Sequence, residues 1–463
     1  MNSIILSALL GVLMMFSGAF VKRTTLSKYF AFVGLAGLFA SSVYELIARQ
    51  PFFHIDVHDM VHTNNFNLAF IAIVLGCTLI YFLLNGSEIE KVGAHVSEYY
   101  ALIFFILCGI SIAATFNTLL MLFIGIEIVS IPLYILTGSD KRNLKSNEAA
   151  LKYFLMGAFS TGIMLMGIAF IYGGNPNASF FIHNLEIGSG KMPVMIAVGL
   201  VFLLVSMSFK VSAAPFHFWT PDVYDGAPTV FTSFMSTIVK VAGFFAFIRL
   251  FESAFGVVQN QWQSLVLFIT AATLIIGNVT AVFQQSVKRM LAYSSIAQAG
   301  FMMLAIFALN NKAKEGILLY SAAYSLATIG IFAILTKMKD YTIDGFNGLA
   351  KEQPLLGFAG LIFLLSLTGI PLTAGFQSKF FMLMAAIETG HHYWIAVLAV
   401  LLAAVSAYYY FRVIQAIYFK EPSPEGVVSG KLSSVYKLTL ILTVILIIII
   451  GIYPELIIGW LYS

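Results

Sequence analysis

Charged side chains are scarce in this 463-residue sequence. Asp, Glu, Lys and Arg make up 10% of it, against roughly 25% in an ordinary soluble domain. So small a charged fraction cannot cover a globular surface in water. A disordered chain is excluded too, because 60% of the residues are hydrophobic. Cysteine is nearly absent: Cys77 and Cys108 both lie in apolar stretches, and there is no CxxC. No iron–sulfur cluster, c-type haem or zinc ribbon is therefore encoded. The net charge of +4 is too small to point to nucleic acid. A transmembrane barrel needs polar lumen-facing residues alternating with apolar ones, which this composition does not supply. An all-α polytopic membrane protein remains, since helices satisfy their own backbone in lipid.

Apolar runs long enough to cross a bilayer, about 20 residues each, recur fourteen times. They cover roughly 3–21, 28–48, 66–84, 99–116, 118–136, 149–173, 193–219, 228–251, 264–284, 289–309, 316–336, 354–388, 393–419 and 436–461. The first run lacks a preceding basic residue and is followed by Lys22-Arg23, so it reads as a retained helix, not a cleaved signal. The seventh carries Pro215 near its end and runs straight into Thr220-Pro221-Asp222, and the twelfth carries Gly369-Ile370-Pro371 and Gly375; both read as broken helices. They lie five spans apart. That spacing suggests two five-helix repeats, spans 4–8 and 9–13, in inverted topology. The implied division is 1–98, 99–252, 253–420 and 421–463. Fifteen loop Lys and Arg residues, from Lys22 to Lys437, fall on one side, against Arg49, Lys191, Lys312 and Lys314 on the other. By the positive-inside rule both termini face outside. The loops are too short for a soluble domain. The stretch Gly188-Ser189-Gly190-Lys191 fails as a phosphate loop, with Leu185 and Met192 where Gly and Ser or Thr belong.

Ionisable groups in mid-membrane cost at least ~2.5–3.5 kcal/mol on insertion scales, so each needs a reason. Glu127 lies ten residues into its helix, about 15 Å along it. Lys240 sits at similar depth. Lys210 precedes Pro215 by five residues, and Lys379 follows Pro371 by eight. A lysine in an apolar site loses the hydration that favours its charged form, and a nearby carboxylate restores that preference. A Lys with a movable Glu partner is therefore a switch for holding or releasing a proton. His217 and Tyr293-Ser294-Ser295 are expected rungs of such a path. The plainer reading is a set of structural ion pairs, but two lysines beside helix breaks favour proton transfer. Arg249 and Arg412, near helix ends, are expected to snorkel. Lys152 is equivocal, and Glu388 is a possible exit group. His54, His58 and His62 alternate as in a strand, where four residues span about 13 Å, so no metal site is expected.

Three stretches carry a family resemblance: Pro215-Phe216-His217-Phe218-Trp219-Thr220-Pro221-Asp222-Val223-Tyr224-Asp225-Gly226-Ala227-Pro228, Lys288-Arg289-Met290-Leu291-Ala292-Tyr293-Ser294-Ser295-Ile296 and Gly369-Ile370-Pro371-Leu372-Thr373-Ala374-Gly375-Phe376. On these the chain resembles, over essentially its whole length, the antiporter-like membrane subunits of NADH:quinone oxidoreductase (respiratory complex I). The resemblance implies fourteen helices with two inverted repeats. It implies proton translocation driven by quinone reduction elsewhere in the complex. By position it implies Glu127, Lys210, Lys240 and Lys379 as the proton path, with His217 and Lys152 secondary. Lys379, where another branch has glutamate, and the lack of a long lateral helix after span 14 favour the N-type subunits. Many relatives have histidine where this chain has Gln298, so no titrating step is expected there.

The resemblance further implies no cofactor in this chain; NADH, FMN, iron–sulfur clusters and quinone belong to partner subunits. The partners are the other membrane-arm subunits, including neighbouring antiporter-like chains, in a bacterial cell membrane. The chain is thus expected to be a non-redox subunit of a proton-translocating enzyme. The alternatives are a subunit of a multi-subunit cation/proton antiporter or membrane-bound hydrogenase, and a membrane spacer without ion flux.

Overall fold

The computed structural model describes residues 1–20, 24–53, 57–177, 179–185, 187, 190, 192–422, 427–428, 430 and 432–462. Lys22, Arg23, His54, Gly188, Ser189, Lys191 and Lys431, on which the loop-charge count and two motif readings drew, lie outside these residues. The described residues form an α-helical bundle with isolated β-bridges and no strand. Helix α1 covers Asn2–Phe20, α2 Thr24–Ala48, α3 Asn65–Val92 and α4 Val96–Thr115. Next come α5 (Leu119–Thr137), α6 (Leu144–Gly174), α7 (Val194–Lys210) and the short α8 (Trp219–Gly226). Helix α9 (Thr229–Phe234) passes through a π-helical turn, Met235–Val239, into α10 (Lys240–Phe255). Then follow α11 (Gln259–Val282), α12 (Val287–Ala308), α13 (Asn311–Leu335) and the single turn α14 (Leu349–Glu352). The chain closes with α15 (Pro354–Thr368), α16 (Ala374–Ile387), α17 (Trp394–Phe419), α18 (Ser434–Ile452) and α19 (Glu455–Tyr462).

Among the described residues ten helical stretches are long and apolar enough to cross a bilayer, and α1, α7, α15 and α16 are shorter apolar helices. One of the ten, Thr229–Val282, has 54 residues. At 1.5 Å per residue that is about 80 Å, over twice a bilayer core of about 30 Å. It breaks at the turn Gly256–Val258 into α9–α10 and α11. The interruptions read from proline are present. The seventh run is α7 and α8, parted at residues 211–218, and the twelfth is α15 and α16, parted at 369–373. Each break holds a non-glycine residue in the left-handed region, Ser212 (φ 63°) and Leu372 (φ 71°). Such strain persists only where packing imposes it. The fourteenth run differs from expectation. Pro454 has no N–H to continue the ladder, so α18 stops at Ile452 and α19 is a separate short helix.

The core is the middle of the bundle. Helices α12 and α13 are buried along nearly their whole length, whereas α1, α2, α6 and α17 turn broad apolar faces outward. Close approach is made where side chains are smallest. A Cβ on Gly125 of α5 would lie 2.8 Å from the Ala113 nitrogen of α4, and one on Gly277 of α11 would lie 2.4 Å from the Ala297 nitrogen of α12. In lipid, such backbone-to-backbone packing replaces the hydrophobic drive that water would supply. It fixes α5 and α12, which carry Glu127 and Ser295.

Candidate functional site

The first cluster joins α5, α6 and α7. Pro132 within α5 leaves the Ile128 carbonyl without its helical donor, one residue after Glu127. Glu127 Oε1 accepts a hydrogen bond from Thr161 Oγ1 of α6 at 2.8 Å. Lys210, the last residue of α7, places Nζ 3.8 Å from the same oxygen. That ammonium also donates to Ser130 Oγ at 3.0 Å and Thr161 Oγ1 at 3.2 Å. Thr161 thus bridges carboxylate and ammonium, and the pair is in contact without being locked. A cavity of about 40 Å3 beside Lys210 is lined by Ser130, Tyr153 and Val239 among others. Its lining thus joins Lys210 to Val239, in the π-helical turn before Lys240.

Lys240 is 2% exposed and, among the described residues, has no carboxylate partner. Its Nζ donates to Ser295 Oγ at 2.8 Å and to the Ser295 carbonyl at 3.1 Å, and it lies 5.7 Å from the Tyr224 ring centre. The π turn puts Lys240 on this face, and π turns occur frequently at functional sites. His217 sits in the first break, buried and stacked on Phe218, within electrostatic reach of Lys240. Lys379 is 6% exposed. Its Nζ donates to the Leu367 and Thr368 carbonyls at 2.8 Å each, 4.8 Å from the Phe301 ring centre. Those carbonyls end α15, where the break leaves them without helical donors, and a cation suits the negative end of a helix dipole. Gln298 Nε2 donates to the same Leu367 carbonyl at 2.9 Å and to the Tyr410 hydroxyl at 3.3 Å, while Tyr320 donates to its Oε1. Tyr410 also bonds Ser294. The structure thus brings Glu127 with Lys210, and Gln298 with Lys379, and sets Lys240 on Ser295.

Lys152 stands apart from these groups. It is a partly exposed member of an ionic cluster with Glu148 (2.8 Å) and Asp222 (2.9 Å), and Asp222 also meets Arg289 at 3.2 Å. Arg249 does not snorkel. It is buried, donates to the Ala114 carbonyl at the end of α4, and lies 5.0 Å from the Phe116 ring. The α4 end, itself within the bundle, is the nearer acceptor. Arg412 donates to the Val282 carbonyl at the end of α11 at 2.9 Å. Glu388 is exposed at the end of α16. Sequence reasoning placed Lys288 in a loop, but it is 4% exposed and donates to the Asp225 and Ala227 carbonyls, closing the end of α8. It also missed Ser130, Thr161 and Tyr410, because hydroxyls are common in membrane helices and only contact across helices singles them out. Among the described residues no three His, Cys, Asp or Glu side chains gather as for a metal.

A family model described as "NADH:quinone oxidoreductase/Mrp antiporter, TM" matches residues 116–406. The chain is 38% identical to NADH-quinone oxidoreductase subunit N of Cytophaga hutchinsonii, over 98% of both chains. Among solved structures it is similar to a chain of respiratory complex I from Thermus thermophilus, with a TM-score of 0.84 and 30% identity over 99% of each chain. It shares its fold with a chain of an archaeal membrane-bound sulfane sulfur reductase, with a TM-score of 0.87, 24% identity, and coverage of 100% of this chain and 96% of that one.

Proposed function

The chain belongs to the NADH:quinone oxidoreductase/Mrp antiporter family of membrane proteins, and we propose that it is the N-type proton-translocating subunit of a membrane-bound NADH:quinone oxidoreductase. The carrying observation is the row of three lysines, Lys240 and Lys379 buried and Lys210 half-buried against a carboxylate, on helices that break or bulge where the lysines sit. Glu127 and Lys210 form the switchable pair. Lys240 is the central relay, with His217 beside it, and Lys379 is the gate at the second break. Lys152 anchors the mouth of the path through Asp222 and Arg289.

This chain's part is to hold and pass protons; quinone reduction in partner subunits supplies the drive. Flavin, iron–sulfur clusters and quinone are assigned to those partners, and the other membrane-arm subunits are its neighbours. The path runs through fourteen crossings in a bacterial cell membrane, divided at 1–98, 99–252, 253–420 and 421–463, with the basic end of the bundle inside and both termini outside. The inverted repeat is supported by its caps. Arg249, from the fifth helix of the first half, closes the end of that half's first helix, α4; Arg412 does the same for α11 in the second half. Because each half has five crossings, an odd number, the second half is inverted and the two caps fall at opposite membrane faces.

The test is Lys240→Ala in the assembled complex. Proton pumping should fall with the complex intact on native gels. Normal pumping by an intact variant would refute the relay. Copurification with small antiporter subunits, without NADH-oxidising partners, would instead favour a secondary antiporter.

A further inference from the structure

The proton-path reading leaves a gap between Lys240 and Lys379, which among the described residues share no hydrogen-bond partner. We propose that Tyr324 of α13 is the hydroxyl relay that joins them, through Ser295 on one side and a single-water cavity on the other. This inference rests on the proton-path reading and adds the residue that makes it continuous.

Three observations carry it. First, the Tyr324 hydroxyl sits at the Lys240 end. It donates to the Ser236 carbonyl at 2.8 Å, within the π-helical turn that precedes Lys240, and stands beside Ser295. Ser295 in turn accepts from Lys240 Nζ at 2.8 Å. Second, Tyr324 lines a cavity of about 10 Å3 whose other walls include Gln298, Tyr320, Ser378 and Lys379. A space of about 10–15 Å3 admits one water, and a water needs two to four polar partners; these walls offer them. Third, Gln298 cannot take a proton near pH 7, and its amide is already committed to Leu367, Tyr410 and Tyr320. Gln298 therefore shapes the cavity without carrying the proton, and the transfer falls to hydroxyls. Tyr324 is 4% exposed, so bulk water does not replace it.

The step balances as one proton in and one out. Protonated Lys240 gives an N–H proton to Ser295 Oγ as the Ser295 O–H proton passes to Tyr324 Oη. The Tyr324 O–H proton passes to the cavity water, and a proton of that water passes to neutral Lys379 Nζ. Lys240 is left neutral, Lys379 charged, and each hydroxyl turned by one position. The hydroxyls then rotate back; Ser295 has the Ala292 carbonyl, at 2.7 Å, as its resting acceptor.

The experiment compares Tyr324→Phe, Tyr409→Phe and Lys240→Ala in membrane vesicles holding the intact complex, measuring protons moved per NADH oxidised. Tyr409 is a buried tyrosine whose hydroxyl meets Asn278 at 3.2 Å, outside the path. Tyr324→Phe keeps the ring and should lose as much pumping as Lys240→Ala, while Tyr409→Phe pumps normally. If Lys240→Ala is deficient but Tyr324→Phe pumps normally, the relay is overturned and the wider reading stands. Equal losses in the two Phe variants overturn the relay as well, since any core tyrosine would then suffice. Normal pumping in Lys240→Ala overturns the functional reading itself. Should Tyr324→Phe fail to assemble, Ser295→Ala takes its place: the same deficit supports the relay and normal pumping overturns it.

Discussion

Replacing Glu127 by glutamine isolates charge from shape. The glutamine keeps an oxygen to accept from Thr161 Oγ1 and fills the same space, so packing among α5, α6 and α7 is retained. What is lost is the attraction across 3.8 Å to Lys210 Nζ. The side chains are 24% and 13% exposed, so the pair is neither dry nor solvated. At an effective dielectric of about 20, 332/(20 × 3.8) gives about 4 kcal/mol. That corresponds to about three decades in any equilibrium that depends on the pair. Glu127→Asp provides the scale. Withdrawing the carboxylate by one C–C bond, about 1.5 Å, lengthens the separation to roughly 5 Å and leaves about 3 kcal/mol. The aspartate variant should therefore keep most of the pumping and the glutamine variant little of it. The assay is dye-detected acidification of inverted vesicles, normalised to NADH oxidation and to complex abundance on native gels. Equal deficits in the two variants, or normal pumping by Glu127→Gln, would refute the switch, because shape and not charge would then govern the site.

Two further outcomes follow from the geometry. A Cβ on Gly375 would lie 1.7 Å from the Ser366 carbonyl oxygen, so Gly375→Ala must part α15 from α16 by more than an ångström and pull Lys379 from its carbonyls. Overpacking of this kind costs about 1–3 kcal/mol or more; the measurement is the amount of assembled complex on native gels, and wild-type abundance with full pumping would contradict it. Cys77 and Cys108 are buried, so cysteines introduced at the exposed Lys141 and Glu388 are the reporters of sidedness. A membrane-impermeant maleimide should label Lys141→Cys from the cytoplasmic side alone and Glu388→Cys from the opposite side alone; the reverse pattern would invert the proposed topology.

Membrane insertion, the order of the helices and the two interruptions were legible in the sequence, because lipid imposes length and apolarity on each span and proline removes a backbone donor wherever it sits. Glu127, Lys210, Lys240 and Lys379 were conspicuous in the sequence for the same reason: an ionisable side chain stands out against hydrocarbon. What each lysine touches was decided by the tertiary structure. Lys210 met a glutamate 83 positions earlier in the chain, Lys240 a serine on α12, and Lys379 the open end of its own broken helix, three different partners for one residue type. Arg249 and Lys288, read as a snorkelling group and a loop charge, were drawn to carbonyls at helix ends. A backbone acceptor belongs to every residue alike and leaves no mark in sequence. It becomes a site only where a helix stops and another helix brings a donor to it, and that meeting is set by packing.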